Sequence, residues 1–150
     1  MNFHGTRWLA MLALLFATWG FPAAASAQAN YRLELTIARD GSLAAAPVIE
    51  VKAGAQAEVR NEDPAKPDAG FRILITATPL EFSSTGKESI KLDVDFAARH
   101  DGKWVTRGQH SVTAVLGKPL SFGFPPAKEE PNGKKYELTI RPQSALVEAQ

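Results

Sequence analysis

Few residues of this chain have types and spacings that invite chemistry: Asp93 and Asp95, His100 and His110, and the hydroxyl run Ser83-Ser84-Thr85. Two neighbouring carboxylates are the raw material of a glycosidase pair, in which one must stay protonated while the other ionises. Asp93 and Asp95 alternate with Leu92, Val94 and Phe96, which puts both on the solvent face of one strand with nothing apolar beside them to raise a pKa. Solubilising that face, or blocking edge-to-edge pairing, accounts for them. Nucleophilic catalysis needs a histidine beside an activated serine and an orienting acid, and no nucleophile-elbow motif surrounds Ser83 to Thr85. Zinc needs three or four closely set His, Cys or carboxylate ligands. His100, beside Asp101-Gly102, and His110, in a later strand, are read instead as turn and strand-surface residues. There is no phosphate loop, dinucleotide fingerprint or calcium loop. The expectation is a chain with no catalytic residue, no metal site and no cofactor.

The elements that would have to position any site follow a period of two. Tyr31, Leu33, Leu35 and Ile37 alternate with Arg32, Glu34 and Thr36, the mark of a half-buried strand, and Asp40-Gly41 then suits a tight hairpin turn. Further strands are predicted at 43–52, 55–61 and 71–78, then at 89–99, 103–106, 110–116, 119–124 and 135–141. The fold class is all-β: an antiparallel β-sandwich of about eight strands, with a closed β-barrel as the alternative. The predicted inward residues are Leu33, Leu35, Ile37, Ile49, Val51, Val59, Ile73, Ile75, Ile90, Leu92, Val94, Phe96, Phe122, Tyr136, Leu138 and Ile140. Their bulk fills an interior rather than leaving a ligand cavity, which favours the sandwich.

The two sets of strands read as one unit written twice, over 31–80 and 90–143. With Asp40-Gly41 placed on Asp101-Gly102, Leu33, Leu35 and Ile37 fall on Val94, Phe96 and Ala98. Further on Gly54 meets Gly117, Val59 meets Phe122, and Ile73, Ile75 and Pro79 meet Tyr136, Leu138 and Pro142. The change of spacing between these alignments is an insertion of two residues near Arg107 to Gln109, and an even number keeps every side chain on its face.

Residues 1–27 read as a cleavable bacterial secretory signal. Arg7 and the amino terminus precede an apolar run from Trp8 to Phe21, Pro22 breaks it, and Ala25-Ser26-Ala27 offers the small residues a signal peptidase accepts, with Ala25 and Ala27 at the cut. The run, about 14 residues, is shorter than a spanning helix needs. The chain has no cysteine, so neither disulfides nor lipid attachment at a new terminus arise. A single domain over 28–142 with a flexible tail at 143–150 is expected in the periplasm or outside the cell. Without Arg7, the 17 Lys and Arg residues fall to 16, equal to the 16 Asp and Glu. Such balance, with no basic stripe, argues against nucleic acid and against docking on an anionic membrane.

Binding is left to the loops, which rigid sheets commonly present to partners. The longest are Asn61 to Gly70 and Pro125 to Lys135, in matching places, and Pro79 to Glu88 between the halves. Phe82 and the run Phe124, Pro125 and Pro126 are the candidate contacts. The resulting expectation is a non-catalytic binding or accessory domain that engages an envelope or secreted protein. The alternatives are a barrel carrying a small apolar ligand and an inhibitor of a secreted hydrolase.

Overall fold

The computed structural model describes residues 29–81, 86–130 and 132–145. The predicted signal with Ala25 and Ala27, the loop residue Phe82 and the end of the tail lie outside the described residues. The strands are β1 (Asn30–Arg39), β2 (Ser42–Ala45), β3 (Val48–Lys52), β4 (Gln56–Asn61), β5 (Phe71–Pro79), β6 (Ser89–His100), β7 (Lys103–Val115), β8 (Leu120–Phe124) and β9 (Tyr136–Ser144), with a short 3-10 turn at Pro67–Ala69. They form a 5-stranded sheet ordered β2-β1-β9-β8, with β3 also on β1, and a 4-stranded sheet ordered β4-β5-β6-β7. All neighbours run antiparallel. The sheets pack face to face as a sandwich and do not close into a barrel, which removes the barrel alternative.

The interior is what a period of two dictates. Leu33, Ile37, Ile73, Ile75, Ile90, Leu92, Phe96, Leu138 and Ile140 are all fully buried between the sheets. Ile49 and Val59, expected inside, are only partly covered because β3 and β4 are short strands at the sheet edges. Tyr31, Phe71, Ala77, Ala98, Ala114 and Phe124 join the core in addition. At one end of the core Phe96 stacks on Phe124 with ring centroids 4.5 Å apart and meets Tyr136 at 4.9 Å.

Three boundaries depart from the sequence reading. The predicted strand 43–52 is two strands, because Pro47, which has no N–H to offer a ladder, interrupts it. The predicted strands 103–106 and 110–116 are one strand, β7, which stays continuous by bulging: Thr106 pairs with Ala97 and Gly108 with Phe96, leaving Arg107 the extra residue. Finally β9 runs through Gln143 and Ser144, which pair with Arg32 and Tyr31, so these two belong to the sheet rather than to a tail.

Strand order and register correspond between the sheets. Ile37 of β1 faces Leu138 of β9, and Phe96 of β6 faces Ile73 of β5; Leu33 faces Ile49, and Leu92 faces Val112. The crossings between sheets correspond too: Gly54 N–H donates to Ala77 O, and Gly117 N–H to Pro142 O. The spatial equivalents of Leu33, Leu35 and Ile37 are thus Leu92, Val94 and Phe96, two residues earlier than the sequence alignment placed them. The longer second hairpin, with four pairs before its bulge against two in the first, explains the difference.

Candidate functional site

The outer face of the four-stranded sheet is built in cross-strand rows. Arg60 of β4, Arg72 of β5, Ala97 of β6 and Thr106 of β7 share one row, and Arg99 with Trp104 forms the next, nearer the Asp101-Gly102 turn. Long side chains on adjacent rows reach one another, and the guanidinium carbons of Arg99, Arg72 and Arg60 lie 4.5, 5.3 and 5.8 Å from the Trp104 ring centroid. Cations are drawn to the face of an indole by its quadrupole. Arg60 is compensated by Glu58 at 2.7 Å and Arg99 by Glu62 at 2.6 Å. Arg72 takes part in no ion pair among the described residues, and its Nε is buried without an acceptor. Hydrogen bonding from Arg99, and then the charges of Arg99 and Arg60, hold the Glu62 carboxyl below the usual glutamate range.

Arg99 also joins this face to the loops. The turn Asp101-Gly102, the turn Asp40-Gly41 and the connections 62–70 and 125–135 all leave the same end of the sandwich. Cross-links brace that end: Arg39 Nη1 donates to Ala69 O at 3.2 Å, and Lys135 N–H to Asp40 Oδ1 at 2.9 Å. Beneath the second long loop sits a trio of polar side chains, Arg107, Glu130 and His100. Glu130 takes Arg107 Nη2 on one oxygen at 3.1 Å and has His100 Nδ1 2.7 Å from the other. Only 2% of the Arg107 side chain and 13% of Glu130 is exposed. The bulge re-aims Arg107 out of the solvent-facing alternation, and Gly108 beside it leaves room for a core ring: a Cβ there would lie 3.0 Å from Phe124 Cδ1.

Farther along the same face a shallow groove of about 310 Å³ runs between Leu74, Thr76, Asp93, Asp95, Gln109 and Ser111. Gln109 donates to Asp95 at 2.8 Å. A hydrogen bond from Ser111, followed by Lys91, keeps the Asp93 carboxyl below the usual aspartate range. Both aspartates are therefore outward, hydrogen-bonded groups, as their alternation implied. Among the described residues no group of three or more His, Cys, Asp or Glu is placed to hold a metal ion, and no helix is long and apolar enough to cross a membrane.

Against this geometry, comparison with known proteins gives no identification. No family model, curated protein or solved structure matches the chain.

Of the predicted contacts, Phe124 is a fully buried core ring, which corrects its placement on a loop surface; the parity with Phe122 carries it inward. Pro125 is exposed and Pro126 half-buried. His110 is half-buried: it borders the groove and packs against Phe122 and Phe124, each 5.2 Å away between ring centroids. His100 sits against its turn, with Nε2 3.3 Å from Asp101 Oδ2, and also reaches the loop through Glu130. The Trp104 cluster and the Arg107–Glu130 pair were missed. Strand parity places Arg60, Arg72, Arg99 and Trp104 outward, and that was the available signal for the first; nothing local marks the second.

Proposed function

We propose that the mature chain is an exported, non-catalytic binding domain of the bacterial periplasm, engaging a protein partner through the Trp104 end of the four-stranded sheet. The observation that carries this reading is the gathering of three guanidinium groups around one tryptophan on an outer sheet face. Tryptophan and arginine are the side chains that most often dominate interface energies. The opposite outer face, with Arg32, Glu34, Thr36, Glu137 and Arg141, has no such aromatic anchor among the described residues. A partner offering carboxylates around an apolar contact would meet Arg72 and Trp104 together. The export part of the proposal rests on residues 1–27, and the equal strand order of the two sheets supports descent of 31–80 and 90–143 from one duplicated unit.

Site-specific photocrosslinking in the periplasm tests the docking surface. A photoreactive residue at Thr106, next to Trp104, should crosslink one protein, and one at Glu137 on the opposite face should not. Trp104→Ala in the Thr106 background should weaken capture about 30-fold, as loss of a binding hot spot does. Equal crosslinking from both faces, or none from Thr106, overturns the proposal.

A further inference from the structure

We propose that the cavity of about 170 Å³ between the 125–135 loop and the β6–β7 hairpin binds a small carboxylate, with Arg107 as its principal ligand. Arg107 lines this cavity, yet Nε and Nη1 of its nearly fully buried side chain have no acceptor among the described residues. Leaving charged donors unpaired in the interior is costly, and a buried ion pair such as Arg107–Glu130 is a poor stabiliser compared with apolar side chains. The chain is nonetheless shaped to keep it. A bulge points Arg107 inward, Gly108 clears the Phe124 ring, and Gly133 abuts Glu130, whose O and Oε2 would lie 2.9 Å from any added Cβ. A ligand that accepts hydrogen bonds supplies what the protein withholds.

Charge selects the class of acceptor. The cavity wall holds Arg107 and Lys134 against Asp68 and Glu130, and Arg99 on the same wall is already paired with Glu62. Arg99 is committed to Glu62 and to Gly102 O, while Lys134 enters no ion pair among the described residues. A singly charged carboxylate offers acceptors to the unpartnered Arg107 donors and a countercharge to Lys134 while adding the least repulsion from Asp68 and Glu130. A phosphate dianion would meet uncompensated repulsion from Asp68 and Glu130. The carboxylate of a free small acid and one borne on a polypeptide chain end share this chemistry.

The test is an NMR titration of the ¹⁵N-labelled mature protein with sodium acetate, ionic strength being held constant with sodium chloride. The Arg107 Nε–H resonance and the Asn132 and Gly133 amides should shift saturably, with a midpoint on the order of 10 mM for so few charge-assisted hydrogen bonds. Arg107→Lys should abolish saturation; should that variant not fold, Lys134→Ala, altering an exposed side chain, should still weaken binding about threefold or more. Arg72→Ala, on the docking face and outside the cavity lining, should leave the titration unchanged, so the cavity and the docking surface can fail separately. A short peptide with a free C-terminal carboxylate that binds tighter than acetate, while its amide does not bind, assigns the site to a chain end; binding no tighter than acetate assigns it to a free acid. Linear, unsaturated shifts, or tighter binding of inorganic phosphate than of acetate, overturn the inference.

Discussion

Gly108 shows how narrowly single residues are fixed at the loop end. A methyl group at this position would be driven against Phe124, which is itself clamped on Phe96, so Gly108→Ala should cost about 1–3 kcal/mol by overpacking, measurable by urea denaturation. The neighbouring ion pair makes a different prediction. Arg107→Met removes one of the two partners of a mostly buried carboxylate, leaving His100, and should cost about 1–3 kcal/mol, whereas adding Glu130→Gln should restore part of the loss; a double-mutant cycle reads the coupling. At Asp93 the argument concerns pH. Ser111 and Lys91 lower its pKa from the usual 3.8, so the folded state binds this proton less readily than the unfolded one. Its stabilising contribution is complete above that usual value and disappears as the pH falls through the lowered one. Ser111→Ala should therefore move the carboxyl titration of Asp93 upward toward the usual value in a ¹³C-detected NMR series.

At the scale of elements, the hairpin turns and the strand edges treat glycine differently. Asp101 and Gly102 both adopt positive φ, 48° and 74°, the geometry a two-residue hairpin turn needs. Gly102→Ala should cost about 1 kcal/mol or more, while Gly123→Ala, on β8 with open space around it, should be close to neutral or slightly stabilising; thermal denaturation separates the two. The turn was legible because Asp-Gly between alternating runs has few other uses. Alternation likewise revealed most of the core, since parity survives small errors in strand limits. Pro47 was a local signal passed over in reading 43–52 as one strand. The bulge was seen only as an inserted length near Arg107, because a bulge changes pairing and not local composition. The candidate site was mostly illegible for a related reason: Arg60, Arg72, Arg99 and Trp104 meet only after β4, β5, β6 and β7 take their registers. The loop aromatics drew attention instead, and the Pro-Pro after Phe124 disguised a strand-end core residue as a loop contact.

At the scale of the molecule, the corresponding registers of the two sheets imply a specific dependence between the halves. The first half places β1, β2 and β3 in the five-stranded sheet and β4 and β5 in the other; the second half places β6 and β7 in the four-stranded sheet and β8 and β9 in the first. The central pairings β1 with β9 and β5 with β6 both join one half to the other. Separated, each half would keep only hairpins and edge pairs, and an isolated two-stranded ribbon is marginal in water. Neither could bury Phe96 against Phe124 and Tyr136 together with Ile37 and Leu138, because those residues are drawn from both halves. Fragments 29–81 and 86–145 should therefore each be unfolded alone by far-ultraviolet circular dichroism and by amide NMR dispersion. Mixed in equal amounts they should recover the β signature, with a concentration-dependent midpoint, because the cut removes a covalent link but no central pairing. Trp104, the only tryptophan in either fragment, reports the same event by fluorescence, since its arginine neighbours Arg60 and Arg72 arrive on the other piece. A fragment that folds as a monomer would show that one half carries a sufficient core by itself, contrary to what the pairing of β1 with β9 and of β5 with β6 requires.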